Sequence, residues 1–150
     1  MSIDLTQLLD PKAILLDLAS RSRDEVLLEL TGALALAHPH IKREEIARAL
    51  AERERDGSTG IGLGVAIPHA RLPGVQKNLL AFGRSNQGLD FGSIDNKPVH
   101  LFFLLVVPED GSYLKELARL SQLCQDSAFV EHLRAATSPK EILSLLKKGR

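Results

Sequence analysis

The sequence predicts one α/β domain, and three observations carry that prediction. The apolar period switches several times along the chain, from short continuous runs typical of buried strands to the three-to-four spacing of amphipathic helices. Capping signals open several of the helical stretches. The 150 residues contain no internal repeat, low-complexity tract or linker, so residues 1–150 read as one unit with a core that buries roughly 70% of the unfolded surface.

In order, Ile14-Leu15-Leu16-Asp17-Leu18 reads as a first strand. Ser22 followed by Glu25 forms a capping box, with Val26, Leu27, Leu30, Ala33 and Leu34 along one helical face. Pro39 disfavours helical geometry at His38 and ends this helix there. A second helix spans about 42–55 with Ile46, Ala47 and Leu50 inward, and Gly57 is its expected terminator. Residues 57–64, Gly-Ser-Thr-Gly-Ile-Gly-Leu-Gly, hold four glycines in eight positions and lead into the short run Val65-Ala66-Ile67, which Pro68-His69 ends. Two short strands are expected at 78–83 and 89–91, then a turn at Asp95-Asn96 and the strongest strand of the chain, 98–107. Helices follow at about 113–125 and 128–135. A last one opens on Ser138-Pro139-Lys140-Glu141, which combines an N-cap, a proline at the first position and a capping-box glutamate.

Nineteen Lys and Arg balance nineteen Asp and Glu. A neutral chain is not expected to bind nucleic acid or an anionic membrane surface, since both require an excess of basic groups. The one cysteine, Cys124, cannot form an internal disulfide and falls short of a Cys-based zinc site. A reducing, cytoplasmic setting is the expectation, and the first residues lack the basic region and apolar run of a signal peptide. No run of about 18 apolar residues occurs, so no direct membrane insertion is expected.

Most candidate chemistry has a plainer explanation. Cys124 falls on a helical apolar stripe, as core packing requires. Gly60-Ile61-Gly62-Leu63-Gly64 follows a helix and precedes a strand, the wrong order for a dinucleotide fingerprint. His38 and His40 have no third metal ligand nearby in sequence and read as a solvated turn. His100 and His132 read as structural or surface histidines. His69 differs. Pro68 stiffens the turn before it, and the upstream glycines can converge several N–H groups into an anion-binding nest. Ser58 and Thr59 add hydroxyl donors, and Arg53 offers a planar fork suited to phosphate. A neutral imidazole is a competent nucleophile near pH 7. Together these features suit a histidine that accepts a phosphoryl group; the plainer alternative is a strand-end histidine beside a flexible glycine loop.

The run 53–71, Arg-Glu-Arg-Asp-Gly-Ser-Thr-Gly-Ile-Gly-Leu-Gly-Val-Ala-Ile-Pro-His-Ala-Arg, resembles the enzyme IIA domain of the bacterial phosphoenolpyruvate-dependent sugar phosphotransferase system, of the fructose, mannitol and nitrogen-regulatory type. Ile94-Asp95 before Pro98-Val99, a long strand ending in Pro108-Glu109 and a Leu-rich helix over 114–126 extend the likeness to about residues 5–147. The resemblance implies a mixed, mostly parallel sheet flanked by helices. It implies that His69 takes a phosphoryl group on Nε2 from a small histidine-containing phosphocarrier protein. The group would pass to a IIB component in sugar uptake or, in the nitrogen-regulatory branch, its presence would be read by a regulated target protein. No metal or organic cofactor is implied. Arg53 matches the family's active-site arginine, and Thr59 lies in the loop beside the histidine. Where the family usually carries a second active-site histidine, this chain has Tyr113, whose hydroxyl can donate a hydrogen bond but cannot carry positive charge. Leu63, Ile67 and Leu72 are the expected apolar rim for docking.

Overall fold

A computed structural model describes residues 4–148. A 3-10 turn, Leu5–Gln7, precedes β1 (Leu9–Leu15), α1 (Arg23–Ala37), α2 (Arg43–Arg55), β2 (Gly60–Gly62), β3 (Val65–Ala66), β4 (His69–Leu72), β5 (Leu79–Leu89), β6 (Val99–Pro108), α3 (Leu114–Cys124), α4 (Ser127–Ala135) and α5 (Pro139–Lys148). The sheet order is β1-β5-β6-β3-β2, and β4 pairs with β6 beyond the end of β3. The pairings β1–β5, β3–β6 and β4–β6 are parallel, while β5–β6 and β2–β3 are antiparallel, so the sheet is mixed and mostly parallel.

The apolar run of β6 explains its central place. Leu101 to Val107 have 0% exposure, although alternate residues point to opposite faces. A strand that is apolar at every position must be covered on both sides. Phe82 of β5 packs edge-on against Phe103 at 5.2 Å between ring centroids, and Phe91 packs against Phe102 at 5.3 Å. Helix α1 lies on β1 and β5, α2 on β4, α4 on β6 and α5 on β1. The Ser22–Glu25 capping box forms as expected, with the Glu25 N–H donating to Ser22 Oγ. Cys124 is core. Among the described residues no helix is long and apolar enough to cross a membrane.

Three expectations need correction. The first strand is Leu9–Leu15, not 14–18. Pro11 is tolerated because β1 is an edge strand, and the irregularity in its register falls between Leu9 and Ile14. The two short strands expected at 78–83 and 89–91 are one, β5, with Phe91 beyond its end. Polar Asn86-Gln87-Gly88 interrupts the apolar pattern, but the segment is a local irregularity in the β5–β6 ladder with Gly88 at φ 83°, and pairing resumes at Leu89. The glycine-rich stretch is a hairpin from Gly60 onward rather than an open loop. β2 and β3 form a two-residue hairpin, Gly62 opposite Val65, with Leu63 and Gly64 both left-handed at φ 63° and 77°, the backbone that a tight hairpin turn requires. Gly60 has a different reason to lack a side chain: a Cβ there would meet Ser93 Oγ at 2.2 Å.

Candidate functional site

His69 opens β4, directly after Pro68, and its position is set through the backbone. β4 pairs in register with β6, His69 opposite Leu105, and the Leu105 N–H donates to the Pro68 carbonyl at 2.9 Å. His69 is 7% exposed. Nδ1 lies 2.8 Å from the Ile67 carbonyl oxygen. A carbonyl only accepts, so Nδ1 carries the proton and Nε2 keeps its lone pair. Burial pushes the imidazole below its ordinary 6.5; the Ile67 hydrogen bond works against this, and the charges of Arg53 and Arg71 add to the lowering. The ring is therefore neutral at about pH 7, with the lone pair on Nε2.

A cavity of about 290 Å³ opens beside the ring, lined by Ala49, Glu52, Arg53 and Asp56 from α2, His69, Ala70 and Arg71 from β4, and Tyr113. Arg53 reaches this place because it stands in the last turn of α2, where its Nη1 donates to the carbonyl of Gly57, just beyond the helix end, at 2.8 Å. Tyr113 is the N-cap residue of α3. The turn after β6, closed by the Gly111 N–H on the Pro108 carbonyl at 2.8 Å, brings it back over the end of β4. Its ring centroid is 4.5 Å from that of His69. The structure thus brings His69, Arg53 and Tyr113 to one cavity.

Thr59 is placed elsewhere. It is 5% exposed, and both its N–H and its hydroxyl donate to the Glu54 carboxylate, itself 3% exposed. Burial raises the Glu54 pKa above 4.5, against the opposing effect of the two Thr59 bonds. Thr59 therefore fastens the end of α2 to the start of β2, and does not line the cavity. Ser58 is likewise occupied: its hydroxyl donates to the Phe91 carbonyl at 2.6 Å and accepts from the Gly60 N–H. The expected nest of glycine N–H groups gives way to the β2–β3 hairpin: Gly60 and Gly62 stand opposite Ala66 and Val65, and the Gly60 N–H is taken by Ser58 Oγ. The apolar rim also differs. Leu63 is exposed at the hairpin tip, but Ile67 and Leu72 are buried in the core, where β3 and β4 run beside β6. Leu114, next to Tyr113, is exposed.

Arg71 is the residue that sequence reasoning left out. It follows His69 by two on β4 and so shares its face of the strand. Strand alternation was the available signal, but it points to Arg71 only once the residues after Pro68 are known to be extended. Elsewhere, His38 and His40 meet edge to face with ring centroids 6.2 Å apart, and His100 is half-buried with Nδ1 3.0 Å from the Ser85 carbonyl oxygen.

The sequence profile described as "Phosphoenolpyruvate-dependent sugar phosphotransferase system, EIIA 2" matches residues 7–149. A nitrogen regulatory protein of Bradyrhizobium diazoefficiens is 38% identical over 144 residues, covering 95% of this chain and 94% of the relative. The fructose-specific EIIABC component of Bacillus subtilis is 34% identical over 146 residues, which are 96% of this chain and 23% of that larger protein. Among solved structures, the nitrogen regulatory protein IIA-Ntr of Neisseria meningitidis superposes with a TM-score of 0.84 at 32% identity, over 95% of this chain and 98% of its own. With the profile spanning nearly the whole chain and relatives of this identity aligned almost end to end, the chain belongs to the EIIA type 2 family of the phosphoenolpyruvate-dependent sugar phosphotransferase system.

Proposed function

We propose that this protein is a phosphocarrier whose acceptor atom is His69 Nε2. One observation carries the reading. The Ile67 carbonyl holds the proton on Nδ1, so the nitrogen that faces reaction is unprotonated in a ring kept neutral by burial and by two nearby guanidinium groups. The donor is a histidine-containing phosphocarrier protein. Nε2 attacks phosphorus in line, the donor's P–N bond breaks, and its electron pair returns to the donor nitrogen. The ring, now substituted at both nitrogens, takes a positive charge that the Nδ1–H shares with the Ile67 carbonyl. Catalysis of this kind is mostly positioning and charge neutralisation, and Arg53 supplies a cation at the cavity. Thr59, through Glu54, holds α2 and hence Arg53 in place.

Two destinations fit the family. A IIB component in sugar uptake is one, supported by the fructose-specific relative. The other is a target protein that reads the phosphorylation state, supported by the nitrogen regulatory relative that matches over nearly its full length. The test uses purified carrier, the enzyme that charges it and phosphoenolpyruvate, with mass spectrometry under alkaline conditions that preserve phosphohistidine. One acid-labile phosphoryl group on wild type and none on His69→Ala is expected. A label on His38, His40, His100 or His132, or one retained by His69→Ala, refutes the assignment. A charged protein that then phosphorylates a IIB domain belongs to transport. One that changes its affinity for a target without transferring the group belongs to regulation.

A further inference from the structure

We propose that Arg71 is a second cationic contact for the phosphoryl group on His69, and that Tyr113 acts chiefly as the ring on which the Arg71 guanidinium rests. The proposal rests on the reading of His69 as acceptor and adds how this chain does without a second histidine.

The geometry holds Arg71 at three points. Its Cα lies two residues along β4 from His69 and on the same face. Its Nε donates to the Gly111 carbonyl at 2.9 Å, and its guanidinium carbon lies 4.6 Å from the centroid of the Tyr113 ring, a cation–π distance. That ring is itself 4.5 Å from the His69 ring. The three side chains lie in series along one wall of the cavity, with the His69 and Tyr113 rings tilted by 53° to each other. With Nε spent on Gly111, the two terminal nitrogens of Arg71 remain as donors, pre-oriented as a planar fork.

Charge gives the reason for such a group. Glu52 and Asp56 line the cavity from α2, and both oppose an incoming phosphoryl group that carries close to two negative charges. Arg53 alone leaves the walls with an excess of negative charge. Arg71 balances them, two guanidinium groups against two carboxylates. A tyrosine hydroxyl brings only a dipole to this balance, whereas its ring face attracts a cation and restrains it. The charge that the usual second histidine can bring is thus supplied here from β4.

The test uses the whole protein and phosphoramidate, a small donor that requires no docking. His69 Nε2 attacks phosphorus, the P–N bond breaks, and the nitrogen leaves with the electron pair as ammonia. The variants are Arg71→Gln, Arg71→Lys, Tyr113→Phe and Tyr113→Leu, each first shown to unfold at the wild-type urea concentration. Arg71→Gln should slow phosphorylation by about ten- to a hundredfold, the effect of losing one charge-assisted hydrogen bond, and shorten the phosphohistidine lifetime. Arg71→Lys should recover part of the loss. Tyr113→Leu should lose more than Tyr113→Phe. A proton NMR titration of the His69 ring gives a second readout: the Arg71 charge lowers its pKa, so Arg71→Gln should move it up toward 6.5. Wild-type rate and an unshifted titration in Arg71→Gln overturn the proposal. Equal losses in Tyr113→Phe and Tyr113→Leu assign the role to the hydroxyl and overturn the platform. A wild-type protein that takes no phosphoryl group on His69 refutes the acceptor reading and the proposal with it.

Discussion

Replacing Glu54 by alanine tests how the site is held from behind. Glu54 and Thr59 are 3% and 5% exposed, and the carboxylate accepts both the N–H and the hydroxyl of Thr59. Removing the carboxylate strands a buried backbone donor, which costs about 1–3 kcal/mol. The hydroxyl loses its acceptor too, and the emptied volume adds a packing penalty. Relief from burying a carboxylate offsets part of the sum, leaving a net loss of about 2 kcal/mol. With an urea slope of about 1–3 kcal/mol/M, the unfolding midpoint should fall by about 1 M. A pH dependence separates the carboxylate from its volume. The Glu54 pKa is raised in the folded state by burial, so the ionisation-linked part of its contribution is full below the unfolded value of about 4.5 and is lost as pH rises through the folded value, while the loss of the Thr59 acceptor and of packing persists at every pH. Glu54→Gln removes that slope. Urea unfolding followed by circular dichroism, from pH 4.5 upward, measures both effects. A Glu54→Ala midpoint equal to wild type would falsify the reasoning, because it means that Thr59 finds another acceptor and that the α2–β2 junction does not depend on this pair.

Three further outcomes follow from particular groups. The lowered His69 pKa keeps Nε2 unprotonated, so the acid limb of the phosphorylation rate should lie below pH 6.5. By linkage, wild-type stability should drop as pH falls below the unfolded value near 6.5, since the unfolded chain binds the proton first, and His69→Gln should reduce that drop. Arg84 is 8% exposed and donates to the carbonyls of Leu16, Leu133, Arg134 and Ala136; Arg84→Met strands those acceptors, after β1 and at the end of α4, and should cost about 3 kcal/mol in urea unfolding. The Cys124 thiol is 1% exposed and pushed up to about 12 by burial, so an aromatic disulfide reagent should label it only at the rate of global unfolding.

The sequence by itself determined the elements whose cause is local. The Ser22–Glu25 capping box, the proline after α1 and the Ser138-Pro139 start of α5 act over a few residues, and the helices begin and end beside them. The nine apolar or near-apolar residues of 99–107 could only be a buried strand. His69 and Arg53 were legible as a pair through an unusual local chemistry and a specific family likeness. What only the tertiary structure decided are the matters that depend on which of several available partners a group meets in the fold. Glycine N–H groups that can cradle an anion can equally pair as a strand, and β3 beside β6 selects the hairpin. The Thr59 hydroxyl can face a phosphate or a carboxylate, and the buried Glu54, five residues back and on another element, takes it. Ile67 and Leu72 have the composition of a docking rim, but parallel pairing of β3 and β4 with β6 turns them into the core. Arg71 became part of the site for the same reason. Its spacing from His69 acquires meaning only when β4 is extended and the Gly111–Tyr113 turn folds over it, a contact 40 residues apart in the chain that no local rule specifies.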